Sequence, residues 1–247
     1  MKSKLFLAFR AIWFTAELVL YFVAFFWLLL RSGGKPTQAG RSHWLQWCSR
    51  RTLRVFSVQV FATGTPPQAG LLVCNHLSYL DILVLISLTP AVFVSKAEVK
   101  GWPVFGWFAR LSGTLFVDRT RRSDVTRMNN LIEASLADGN VIVLFPEGTS
   151  WNGSEVLPFK SSLLEPVVGT RHPVNVGFMK YVLPHGDAAN EVCYWGDATF
   201  FPHLVNLITK QAIRAEVRFA PIPAPAEDRK ALASQLHAAI VGLRPPV

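Results

Sequence analysis

A chain of 247 residues with 51% hydrophobic content is long enough to bury a sizeable core, as one large domain or two small ones. Its three cysteines, Cys48, Cys74 and Cys193, show neither even pairing nor metal-ligand spacing, which excludes a disulfide scaffold and a zinc motif and suits a reducing compartment. The net charge of +9 is local: residues 1–60 hold nine Lys or Arg against one acid, and the remainder sixteen against fifteen, which argues against a basic nucleic-acid-binding surface.

From the start of the chain, Ala11 to Leu30 is almost entirely apolar, and twenty residues are enough to span a bilayer. Glu17 opposes insertion by roughly 3 kcal/mol, while each Leu, Ile, Val or Phe returns about 0.3 to 0.6. Twelve such residues outweigh it, so a membrane helix is expected, either spanning or entering one leaflet. A buried helix of a soluble core is the alternative. The run is too long for a signal-peptide core and no small-residue cleavage site follows, so the segment is expected to stay attached. More basic residues follow it (Arg31, Lys35, Arg41, Arg50, Arg51, Arg54) than precede it (Lys2, Lys4, Arg10). That asymmetry leans toward the inner, cytoplasmic membrane with the body of the protein facing the cytoplasm.

Gly33 to Pro36 reads as a linker. Arg41 to Arg54 mixes arginines with Trp44, Leu45, Trp47 and Cys48. It reads as a helix at the membrane surface, with tryptophans at headgroup depth and arginines near anionic lipid. A packed helix with a solvated basic face is the alternative. The organisation expected is an anchor over 1–35, an interfacial helix over 36–55 and the main domain over 56–247.

Phe56 to Val60 alternates as a strand should, and Gly64-Thr65-Pro66-Pro67 breaks it. Leu71 to Cys74 predicts a buried strand, followed by a polar turn and an apolar helix ending near Pro90. Ala91 to Ser95 predicts the next strand, leading to Lys96. Gly101 to Phe108 predicts an exposed apolar connection and a short helix. Thr114 to Val117 is a short strand that delivers Asp118 and Arg119. Ser123 to Asp138 predicts an amphipathic helix capped by Ser123 and stopped by Gly139. Val141 to Phe145 is a fully apolar strand. Val174 to Phe178, Glu191 to Tyr194 and Ala215 to Phe219 predict later strands, and Glu227 to Leu243 a last helix. Strands alternating with helices predict an α/β fold with a mostly parallel central sheet flanked by helices.

Three strand ends carry polar groups, and a parallel sheet opens them on one edge. The first offers His76 with Asp81 five residues later. A carboxylate fixes an imidazole's tautomer and stabilises its protonated form, which makes a better general base. No serine or cysteine stands as its nucleophile, so the base would act on a hydroxyl or water brought by a substrate. The second offers Arg119, able to bind a phosphate through two parallel hydrogen bonds. The third offers Glu147, Gly148 and Thr149, where glycine lets a ligand approach the backbone. Taken singly, His76 reads equally as a structural histidine, Arg119 as a surface charge and Glu147 as a cap for its turn.

Asn75-His76-Leu77-Ser78-Tyr79-Leu80-Asp81, Gly113-Thr114-Leu115-Phe116-Val117-Asp118-Arg119 and Phe145-Pro146-Glu147-Gly148-Thr149 together resemble the first three motifs of the glycerolipid acyltransferases. The 1-acylglycerol-3-phosphate O-acyltransferases are the branch these motifs are most similar to. The resemblance runs over roughly residues 55 to 220 and takes in the stretch from Phe93 to Arg119 and Leu157-Pro158-Phe159-Lys160.

The resemblance implies acyl transfer from acyl-CoA or acyl carrier protein to a lysophospholipid hydroxyl, giving phosphatidic acid when the acceptor is lysophosphatidic acid. His76 would be the base and Asp81 its orienting partner. Arg119 would hold the acceptor's phosphate, Glu147 and Gly148 the glycerol part, with Gly113 and Thr149 in the same binding motifs. No metal and no resident cofactor is expected; the thioester is a co-substrate. The partners expected are membrane lipids and the acyl donor, with no nucleic acid. An oxyanion donor is required, and backbone amides of the His76 turn are the candidates. Two departures stand out. Ser150 replaces the arginine that usually follows the third motif, and Val176 stands where a fourth motif usually has its second proline. The first admits another acceptor, such as a lyso-ornithine lipid. A non-catalytic lipid-binding membrane protein is the reading from another class.

Overall fold

The computed structural model describes residues 2–118 and 120–245, with side chains from residue 5 onward. Two helices come first, α1 (Lys2–Arg31) and α2 (Gln38–Val55). Then follow β1 (Val58–Thr63), β2 (Gly70–Cys74), α3 (Leu80–Leu88), β3 (Val92–Lys96), α4 (Phe105–Leu111), β4 (Leu115–Val117), α5 (Arg122–Ala137) and β5 (Val141–Leu144). The last third holds β6 (Val174–Val182), α6 (Ala188–Glu191), α7 (Phe200–Thr209), β7 (Ile213–Pro221) and α8 (Arg229–Gly242).

The strands form one sheet in the order β1-β7-β6-β2-β5-β3-β4. The five strands from β6 to β4 run parallel. β7 pairs antiparallel with β6, and β1 pairs parallel with β7. The parallel block therefore has one carboxyl edge, and β2, β4 and β5 all end on it. That is the expected arrangement, and it follows from helical crossovers that return each strand to the same starting edge.

Both faces of β2 are buried, because side chains alternate and each set meets helices. Leu72 and Cys74 share a cluster with Val143, Phe93, and helices α1, α2 and α3. Leu71 and Val73 point the other way, to Ile142, Leu144, Met128 and Ile132 of α5, and Leu232 and Leu236 of α8. A continuous apolar run is what a strand covered on both sides requires.

Three expectations need correction. Glu191 to Tyr194 is not a strand: α6 ends at Glu191, and the chain turns with Val192 and Cys193 buried. The side chain of Asp187 caps Ala189, which favours one helical turn over an extended run. The cap expected at Ser123 is absent, since α5 begins at Arg122 with Asp124 reaching back to the amide of Asp118. Helix α7 (Phe200–Thr209) replaces the connection expected between the last two strands.

The two N-terminal helices also differ from expectation. α1 stops at Gly33 and Gly34, both in left-handed conformation, where the Gly34 amide donates to Leu29 O (2.8 Å). Thr37 then caps α2 by accepting from Gly40 N. Trp44 does not lie at headgroup depth: it is buried, donates to Tyr21 O (3.0 Å) and stacks on Phe108 (5.4 Å, 4°). Only Trp47 of the pair is exposed. Tyr21 and Phe25 of α1 and Trp44, Leu45 and Cys48 of α2 belong to the same apolar cluster as the sheet.

Among the described residues, α1 is the one helix long and apolar enough to cross a membrane. Its buried stripe is Arg10, Glu17, Tyr21 and Phe25, while Ile12, Val19, Phe26, Trp27 and Leu30 are exposed. Glu17, the residue that opposed insertion, faces inward and forms a two-point pair with Arg51 of α2 (2.6 and 2.7 Å). Arg10 donates to Ile208 O and Lys210 O at the end of α7. Both charged residues of the buried stripe are thus partnered within the protein. Arg51→Ala is expected to destabilise the fold by roughly 2 to 3 kcal/mol, the lower end for a broken buried pair because Arg51 is a third exposed. Thermal unfolding in detergent measures this; an unchanged Tm would mean the pair contributes nothing.

Candidate active site

The site is built on the turn after β2. Asn75 ends the strand and substitutes its side chain for a ladder rung. Its Nδ2 donates to Met179 O (3.0 Å) and its Oδ1 accepts from Met179 N (2.7 Å), so the turn leaves the sheet with its amide group satisfied. Asp81 sits in the first turn of α3 and is fully buried. Its Oδ2 accepts from His76 Nδ1 (2.8 Å), Leu77 N (2.6 Å) and Ser78 N (3.0 Å), and its Oδ1 accepts from the Tyr181 hydroxyl (2.6 Å). A carboxylate only accepts, so Nδ1 carries the proton and Nε2 of the neutral ring keeps its lone pair. The imidazole stacks on Phe145 (4.1 Å, 16°). Two outer segments clamp the turn: Trp151 N donates to His76 O and Tyr194 N to Leu77 O.

His76 opens on a cavity of about 340 Å³. Leu45, Leu83, Phe93, Trp102, Phe105 and Phe108 give it apolar walls. Its polar side holds His76, Lys96, Thr149 and Ser150. The cavity therefore sets the imidazole beside apolar walls contributed in part by α2, α3 and α4.

The structure brings His76 and Asp81 into contact and puts Gly148 and Thr149 on the cavity wall. Glu147 is only 4% exposed and accepts from His76 N (3.3 Å), so it braces the His76 turn from behind. Burial pushes its carboxyl up to about 8, and the charge of Asp81 adds to this. Gly113 does not line the cavity. It holds a left-handed turn (φ +80°) that L side chains rarely adopt, so its glycine answers to the backbone there. Arg119 lies outside the described residues. The amides of His76, Leu77 and Ser78 are all engaged by Glu147 or Asp81, which removes them as oxyanion donors.

Sequence reasoning missed Asn75, Tyr181 and the Tyr79–His203 pair. Tyr79, on the cavity wall, bonds through its hydroxyl to His203 Nδ1 of α7 (2.9 Å), whose Nε2 donates to Cys193 O (3.2 Å). Burial lowers the His203 pKa and keeps that ring neutral. Asn75 had a local signal, a polar amide ending an apolar strand. Tyr181 and His203 had none, because their partners are 100 and 124 residues away.

The site thus sets a histidine–carboxylate pair on the carboxyl edge of a mostly parallel α/β sheet, with an apolar cavity beside it. The crystal structure of the 1-acyl-sn-glycerophosphate (LPA) acyltransferase PlsC from Thermotoga maritima matches this fold with a TM-score of 0.66 over 100% of this chain and 98% of that one, at 18% identity. The chain belongs to the acyltransferase family, whose model matches residues 59–186. The lyso-ornithine lipid O-acyltransferase of Brucella abortus (strain 2308) is 36% identical over 204 residues, 76% of each chain. That of Rhodobacter capsulatus is 34% identical over 230 residues, 86% of this chain and 81% of the relative. The 1-acyl-sn-glycerol-3-phosphate acyltransferase of Neisseria gonorrhoeae is 28% identical over 176 residues, 70% and 69%.

Proposed function

We propose that this acyltransferase moves an acyl group from acyl-CoA or acyl carrier protein to the free hydroxyl of a lyso-ornithine lipid, at the cytoplasmic face of a membrane. The single observation carrying the acceptor is Ser150. It stands on the cavity wall where the third motif usually has arginine, and its hydroxyl is tied to Tyr194 O. A wall without that guanidinium has less to offer a phosphate dianion. The relatives named for lyso-ornithine lipid match at higher identity than those named for 1-acylglycerol-3-phosphate.

In this mechanism the donor's acyl chain fills the cavity and its thioester lies beside His76. Nε2 takes the acceptor's hydroxyl proton as the oxygen attacks the thioester carbonyl. Asp81 stabilises the imidazolium that forms. Collapse of the tetrahedral intermediate breaks the carbon–sulfur bond, and the leaving thiolate takes the proton back from Nε2. The thioester is already activated, so holding the two reactants together does much of the work.

The second reading keeps the chemistry and takes 1-acylglycerol-3-phosphate as acceptor. The Val117-Asp118-Arg119 motif ending favours it, since Arg119 would be a phosphate partner. The test is acyl transfer by the detergent-solubilised protein from labelled acyl-CoA, and in parallel from acyl carrier protein, with both acceptors. Product with the lyso-ornithine lipid is expected; product with lysophosphatidic acid alone would overturn the assignment. Ser150→Arg is expected to raise kcat/KM for lysophosphatidic acid about tenfold, the effect of one charge-assisted hydrogen bond. An unchanged kcat/KM would remove Ser150 from acceptor choice.

A further inference from the structure

Asp81 has two oxygens with unequal surroundings. Oδ2 takes three donors, all from the turn that carries it: His76 Nδ1, Leu77 N and Ser78 N. Oδ1 takes one, the hydroxyl of Tyr181, which arrives from β6 on the far side of the chain at 2.6 Å. Asp81 is fully buried and Tyr181 is 4% exposed, so no solvent stands in for that donor.

We propose that Tyr181 is a positioning residue of the reaction: by holding Oδ1 it fixes Asp81 behind the imidazole and limits how strongly the carboxylate draws a proton onto His76. The inference rests on the reading of His76 as general base. A hydrogen bond to a carboxylate spreads its charge and makes it a weaker base. With Oδ1 bare in an apolar surround, the whole charge bears on Nδ1–H, the imidazolium is over-stabilised, and the base is protonated at a higher pH. Burial raises the phenol's pKa and keeps its proton in place as a permanent donor.

Other titratable groups around the pair do not take over this role. Glu147, behind His76 N, is held neutral through the acid range by its burial. Cys74 beneath and Cys193 opposite Asp81 are thiols pushed up by burial, Cys193 to about 12, and stay neutral. Tyr79 is likewise raised by burial. Lys96, Glu98 and Tyr194 stand on the cavity wall, the first two exposed to screening solvent.

The test is the pH profile of kcat/KM for parent, Tyr181→Phe and a protein carrying 3-fluorotyrosine at 181, with His76→Ala as control. Phenylalanine keeps the ring and removes the donor. It is expected to lower kcat about tenfold, leave the acceptor KM within about twofold, and move the acid limb up by roughly half to one pH unit. The fluorinated phenol is the stronger donor and fills nearly the same space, so it reports even if the phenylalanine variant fails to fold. It is expected to move the limb down. An acid limb that stays fixed in every folded variant would overturn the proposal, leaving Tyr181 a core residue. Turnover surviving in His76→Ala would overturn the general-base reading itself and the proposal with it.

Discussion

Replacing His76 by alanine is expected to lower kcat by a factor of about 1,000 to 10,000 while leaving the fold and membrane attachment intact. The size follows from what the ring does: it presents to the cavity a basic nitrogen held in a fixed tautomer by Asp81. The sparing of the fold follows from what remains. Asp81 keeps Leu77 N, Ser78 N and the Tyr181 hydroxyl, so the buried carboxylate is not orphaned. The ring is partly exposed and touches mainly Phe145, so the cavity left behind opens onto an existing one. Single-turnover acyl transfer, far-ultraviolet circular dichroism and vesicle co-sedimentation check the three parts. Near-normal turnover would sink the mechanism.

Glu147→Gln is expected to make the protein more stable than the parent above neutral pH. Burial holds the carboxyl of Glu147 at about 8 against an ordinary 4.5. Below pH 4.5 the folded and unfolded chains are both protonated there, and this group takes nothing from stability. As pH rises toward 8 the unfolded chain releases a proton the folded chain retains. Stability then falls by up to about 1.4 kcal/mol per pH unit, and the loss is complete once the folded group has also ionised. Glutamine keeps the acceptor for His76 N and removes the titration. The gain at pH 8 is expected to be on the order of 2 to 4 kcal/mol, vanishing near pH 4.5. A series of Tm values against pH for both proteins reads it directly. Parallel curves would mean that Glu147 ionises in the folded state as freely as in water.

The sheet and the pairing of His76 with Asp81 were legible in the sequence because both are local patterns. β2 and β5 are unbroken apolar runs bounded by turns, and the histidine and aspartate sit on one turn and the helix that follows it. What was not legible depends on partners distant in the chain. Val192-Cys193-Tyr194 looks like a strand, but it packs as a turn because Tyr194 N bonds to Leu77 O, more than a hundred positions away. Glu147 looked like a ligand group beside Gly148. Its inward orientation depends on the His76 amide, which only the crossover brings near. Trp44 and its arginines had the composition of an interfacial helix. The aromatic face met α1 and α4 before it met lipid, and no local periodicity distinguishes those two apolar environments.

The inward-facing Arg10 and Glu17 of α1 bear on how such a protein can be engineered or evolve. A membrane tether is ordinarily exchangeable, since any greasy helix of the right length would serve. This one is not a module. Its polar stripe closes the carbonyls at the end of α7 and neutralises Arg51, and its aromatic stripe packs on Trp44 and Phe108. Exchanging it for a foreign anchor would strand Arg51, uncap α7 and bare Trp44 and Phe108 together. The helix and the body must therefore change in concert, and a shortened chain lacking α1 would be a different, incomplete core rather than a soluble edition of the same enzyme.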